Sequence, residues 1–204
     1  MPVPLRRSAL VGVLAAVALL VSAPVALAAP FNFTNWDLTG SITLAKLKQS
    51  IAFPAGSKFN GSLELTNGQL TGHVTVPQFT SRLKVFGLPV DATIEFVEAQ
   101  PVTGQVTFGS PNITIDATTS ATLKIRRLSS PLVPLNLVGT SCRTSEPVVL
   151  PLHYVGPPTL FTGFTFQGTT TIPRLTRCGL ATPLLNQLMA GSGNAFAATI
   201  APPA

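Results

Sequence analysis

Lys58-Phe59-Asn60-Gly61-Ser62-Leu63-Glu64-Leu65, then Thr66-Asn67-Gly68, then Gln69-Leu70-Thr71-Gly72-His73-Val74-Thr75-Val76 is the stretch that decides the fold. On both sides of Asn67-Gly68, polar and apolar residues alternate with a period of two. That is the signature of a strand with one face buried and one face wet. Asn-Gly between two such runs predicts a hairpin, because both residues tolerate the left-handed backbone that a tight turn requires.

The same period extends outward from this hairpin. Downstream, Leu83 and Val85 alternate with Arg82 and Lys84, Phe86-Gly87-Leu88-Pro89 turns the chain, and Ala92, Ile94 and Phe96 alternate with Asp91, Thr93 and Glu95. A two-residue loop at Gly87-Leu88 would set Lys84 opposite Asp91 on the outer face. Upstream, residues 41–47 alternate, and the segment before them carries Phe31, Phe33 and Trp36. Further strands are expected at residues 103–108, 113–128, 148–154, 160–172 and 194–200. Pro131, Pro134, Pro147, Pro151 and Pro157-Pro158 fall at strand ends or edges, where the missing N–H costs no ladder bond. One helix is expected near the C-terminus, over residues 182–190. Thr182 caps it, Pro183 takes its first turn, Gly191 stops it, and Leu184, Leu185, Leu188 and Met189 form its apolar face. The expected fold class is all-β: a single antiparallel sandwich or open barrel with one short C-terminal helix.

The first 28 residues read differently. Arg6 and Arg7 precede an apolar run from Ala9 to Ala23, Pro24 breaks it, and Ala26-Leu27-Ala28 has the small-x-small pattern of a cleavage site. Residues 1–28 are therefore expected to be a secretory signal peptide, cut between Ala28 and Ala29, leaving a single β-rich exported domain over residues 29–204. Ser8-Ala9-Leu10 lacks the pattern that follows a twin-arginine pair, so the general secretory route is expected. A membrane anchor would need about 20 apolar residues, and no second long apolar run exists in the chain. Losing Arg6 and Arg7 with the signal leaves 11 basic against 7 acidic residues, a formal charge of +4 in place of +6.

Charged residues make up only 10% of the chain, so the remainder is rich in the Thr, Val and Leu that suit half-buried strands. Cys142 and Cys178 are the only cysteines, and in an exported chain an even, low number reads as a disulfide. Their spacing is too wide for a redox CxxC pair. The bridge would hold the C-terminal helix against the strands near Cys142.

Chemistry-bearing motifs are sparse. No G-x-S-x-G elbow is present, and His73 and His153 are the only imidazoles. His73 falls on the polar face of its strand with Thr71 and Thr75. Glu95 and Glu98 fall on opposite faces of a regular strand, and Asp116 shares a wet face with Thr114. No metal ligand set and no cofactor motif is found. Lys124, Arg126 and Arg127, at the end of a long strand, are a candidate patch for an anionic surface, with Arg174 and Arg177 flanking Cys178. Nucleic acid is not expected as a partner, since export removes it. Twelve Phe against one Tyr and one Trp fit a dry core or an apolar cavity better than a sugar-stacking platform. Asn32, Asn60 and Asn112 begin Asn-x-Ser/Thr sequons that are expected to be unused.

Two blocks carry a resemblance. One is Leu137-Val138-Gly139-Thr140-Ser141-Cys142-Arg143-Thr144-Ser145-Glu146-Pro147-Val148. The other is Gly168-Thr169-Thr170-Thr171-Ile172-Pro173, followed by Cys178-Gly179-Leu180-Ala181-Thr182-Pro183-Leu184-Leu185-Asn186. With Phe86-Gly87-Leu88-Pro89-Val90 and Pro101-Val102-Thr103-Gly104 they resemble a family of small exported proteins of high-GC Gram-positive bacteria, of the mycobacterial and nocardial kind. The resemblance implies an envelope setting and no particular activity. It also supports the disulfide, because both cysteines lie within the matching blocks.

The leading expectation is a secreted or cell-wall-associated, non-catalytic envelope protein that binds a lipid or another amphipathic wall component. It requires an apolar cavity lined by Phe, Leu and Val. A structural or adhesive surface protein would instead have a solid core. A hydrolase would need His73 or His153 within reach of a carboxylate and a hydroxyl in one cleft.

Overall fold

A computed structural model describes residues 29–131, 135–159 and 162–203. The expected signal peptide, including Ala28, lies outside the described residues. Three long strands organise the rest: β1 (Phe31–Leu44), β6 (Leu88–Phe108) and β7 (Ile113–Ser129). Each carries two shorter strands end to end along one edge. β1 pairs with β3 (Lys58–Leu63) and then β2 (Gln49–Ala52). β6 pairs with β4 (Gln69–Thr75) and then β5 (Phe79–Val85). β7 pairs with β9 (Val148–Gly156) and then β8 (Arg143–Thr144), which in turn pairs with β11 (Leu175–Thr176). β12 (Gly191–Ala201) fills the other edge of β1 and pairs with β10 (Phe164–Ile172). All pairings are antiparallel, and the described strands form one sheet.

This arrangement gives the molecule two storeys. The lower is the rolled sheet β10-β12-β1-β3-β4-β6-β7-β9. Its ends, β9 and β10, lie alongside each other without a ladder, and Thr170 Oγ1 crosses the seam to donate to the Val149 carbonyl at 2.6 Å. The sheet is thus an open barrel, the second of the two architectures expected. In the upper storey β2 and β5 do not ladder either. The Gln49 side-chain amide accepts from Lys84 N–H at 2.7 Å and donates to the Lys84 carbonyl at 2.8 Å, mimicking a strand neighbour.

Each storey has its own core. The lower holds Phe33, Trp36, Phe59, Leu63, Phe164, Phe166 and Phe196, with Phe31, Phe33 and Trp36 meeting edge to face. The upper holds Leu44, Ile94, Ile125, Leu175 and the Cys142–Cys178 disulfide. Phe96 packs against both.

Several local expectations are corrected. The second hairpin turns on Phe86-Gly87, both at positive φ, so Arg82 pairs with Asp91 and Lys84 with Pro89. Positive φ at both central residues is the geometry of a type I′ hairpin turn, whose twist matches that of the flanking strands. Residues 88–108 form one bulged strand rather than two. The turn at Asn67-Gly68 is wider than two residues, because Leu63 pairs with Leu70. Gly68 sits at φ +73 with its backbone against Val106, and Val106 N–H donates to the Gly68 carbonyl at 2.7 Å. A Cβ there would collide with the Val106 carbonyl.

The helix, α1 (Thr182–Leu188), is shorter than expected and follows a 3₁₀ turn over Gly179–Ala181. Ala181 takes the capping position that Thr182 was expected to fill, and the Thr182 hydroxyl donates backwards to the Gly179 carbonyl at 2.8 Å. Leu185 and Met189 are buried and Leu184 is exposed. The expected tether is present twice over. Cys178 is bridged to Cys142, and the Asn186 amide grips Leu175, accepting from its N–H at 2.6 Å and donating to its carbonyl at 3.0 Å. Among the described residues no helix is long and apolar enough to cross a membrane.

Candidate functional site

The strands that share an edge must part where one ends and the next begins, and the storeys meet at those breaks. β4 pairs with β6 only from Gln69↔Gln105 to Gly72↔Val102, and β5 takes over at Phe79↔Ile94. Between them β6 also loses register with β7, at Glu98/Gln100 and again at Gln100/Thr103. Pro101, which lacks an N–H, lies inside this irregular stretch, as expected of a proline within a strand. Side chains replace the missing ladder. Glu98 Oε1 accepts from Val74 N–H at 2.9 Å, Glu98 Oε2 meets His73 Nδ1 at 2.8 Å, and the Thr119 hydroxyl donates to the Gln100 carbonyl at 3.0 Å.

Behind this gap lies an apolar cavity of about 100 Å³. Its walls come from β1 (Leu38, Ile42), β3 (Phe59), β4 (Leu70, Val74), β9 (Leu150, Leu152), β10 (Phe166) and β12 (Ala198, Ile200), with Phe53 and Phe96 above. A hollow of about 20 Å³ in the upper core shares Ile42, Phe53 and Phe96 with it. Another of about 10 Å³ in the lower core shares Leu70, Phe166 and Ile200. The three form a row through the interior. Among the described residues, Glu98, Thr119 and Ser120 are the polar residues that line the main cavity, and Glu98 is the one ionisable residue there. Glu98 is a quarter exposed and its partner His73 largely exposed, so the carboxylate stands where the cavity meets solvent.

The other sequence candidates lie elsewhere. His153 Nδ1 meets Asp116 at 2.6 Å on the outer face, across the β7–β9 pair, and both side chains are more than half exposed. Both imidazoles therefore have the carboxylate a hydrolase would use. Among the described residues neither is hydrogen-bonded to a hydroxyl. No cluster of three or more metal-ligating side chains occurs among those residues. Glu95 and Glu98 diverge, as the alternation implied: Glu98 faces the gap and Glu95 the cations of β7.

The basic patch is partly neutralised. Arg126 donates to Glu95, and Lys124 lies 3.9 Å from the same carboxylate. A bulge between Thr93 and Ile94 places both Arg126 and Arg127 on the outside, so the three cations share a face with one acid among them. Arg174 lines a shallow open groove with Lys46, beside α1. The hydrogen bond from Arg126 holds the Glu95 carboxyl below the usual carboxylate range, and the Coulomb attraction of Arg126 and Lys124 acts the same way against the opposing desolvation. A depressed folded pKa makes this contribution to stability present above the unfolded carboxylate range and lost as pH falls through the folded value. In an NMR titration the Glu95 carboxyl is expected to titrate below an ordinary glutamate, and in Arg126→Ala to move back up. An unchanged midpoint in the variant would remove the ion pair as the cause.

The sequence pointed to Phe-rich apolar space but not to the role of Glu98. The available signal was the break in alternation over residues 98–102, where Pro101 interrupts a strand. Compared with known proteins, the chain matches no family model, no curated protein and no solved structure.

Proposed function

We propose that this chain is an exported, non-catalytic protein of the cell envelope that takes the apolar chain of a lipid, or of another amphipathic wall component, into the cavity between its storeys. The observation that carries the reading is the cavity itself. It is lined mainly by Phe, Leu, Ile and Val, lies behind a break in strand pairing, and has one polar edge at solvent. Well-packed interiors hold few voids larger than a water molecule, and dry apolar cavities of comparable size bind apolar guests. A disulfide in the upper core is compatible with export, and the leader sequence is the reason to expect it.

Burial of each methylene contributes about 0.8 kcal/mol, roughly a fourfold gain in affinity. A calorimetric series of straight-chain alcohols is therefore expected to tighten about fourfold per added carbon and then level off once the cavity row is full. Absence of saturable one-to-one binding, or affinity that climbs with chain length without a break, would overturn the reading.

A further inference from the structure

We infer that the cavity selects amphiphiles whose head donates hydrogen bonds and is uncharged or cationic, an alcohol or an amine, and rejects carboxylate heads. This inference rests on the cavity being a lipid site and adds the chemistry of the head. Among the described residues Glu98 is the one ionisable residue lining the cavity, and it stands at the solvent edge. A carboxylate offers about four acceptor positions. Two are used, by Val74 N–H and by His73 Nδ1, which leaves acceptor capacity for an incoming O–H or N–H.

Among the described residues no lysine or arginine lines the cavity. His73, the partner of Glu98, is largely exposed. A fatty-acid anion placed here would set its carboxylate against that of Glu98 in a partly desolvated edge, where like-charge repulsion is stronger than in water.

The test uses octan-1-ol, octylamine and octanoate, titrated calorimetrically into the full exported chain at neutral pH. The alcohol and amine are expected to bind, with octanoate weaker by roughly tenfold or more. Glu98→Gln removes the repelling charge, and octanoate is expected to gain most of that factor. His73→Ala, at an exposed position, frees a lone pair of Glu98 and is expected to raise the preference for octylamine. Equal binding of all three ligands by the unaltered protein would overturn the head selectivity and leave the lipid reading standing. Binding of none would overturn both. An unchanged octanoate ratio in folded Glu98→Gln, together with no amine gain in His73→Ala, would remove Glu98 as the selector.

Discussion

Removing the disulfide, as Cys142→Ala with Cys178→Ala, is expected to lower the unfolding free energy by about 4 kcal/mol. The bridge spans 36 residues, and loop-closure entropy for a loop of that length gives about that value. The structure explains why little else compensates. β8 and β11 are two residues each, too short to hold one another by ladder bonds alone. The Asn186 clamp fixes α1 to β11 and Ser145 N–H donates to the Arg174 carbonyl at 2.7 Å, but among the described residues the bridge is the one covalent tie between the segment leading into α1 and the loop entering β8. Both sulfurs are buried in the upper core, so the replacement also leaves a small void there. Urea unfolding, followed by the fluorescence of Trp36 in the lower core, reads the effect. A midpoint equal to that of the unaltered protein would show that the storeys hold without the bridge.

Phe166→Ala is expected to cost about 3–5 kcal/mol, the range for truncating a buried aromatic. Phe166 is buried in the lower core, near Tyr154 and Phe164, and its ring also forms a wall shared by the main cavity and the hollow below it. The same change therefore joins those two spaces. The longest alcohol accommodated before affinity levels off is expected to increase, even though the protein is less stable. A stability loss with no change in the length optimum would place the bound chain away from Phe166.

The alternation around Asn67-Gly68 was enough to give the strand class, the first hairpin and the inward residues Phe59, Leu63 and Leu70, because period two assigns a face without knowledge of the partner. Register depended on turn chemistry. Placing Gly87-Leu88 at the turn shifted the cross-strand partner of Asp91 from Arg82 to Lys84, although the faces were right. The open barrel was one of two architectures that the same pattern allows, since sandwich and barrel differ in long-range pairing and not in local period. The site was harder to read. Glu98 gains its place from β4 and β5 dividing one edge of β6, a relation between segments far apart in the chain. The cysteines, by contrast, carried their own signal. Two residues of one type were enough to expect the helix tether, whereas the cavity edge depends on pairing between distant strands.

Methyl NMR of residues 29–204 titrated with octan-1-ol tests most directly whether an apolar chain enters the cavity between the storeys. Saturable shifts are expected at the methyls of Leu38, Leu70, Leu152 and Ile200, which line the cavity from four different strands, and are expected to be weakened in Ala198→Leu, whose added carbons occupy the same space. Shifts confined to exposed methyls such as Leu135 and Leu180, or shifts unaffected by Ala198→Leu, would contradict it.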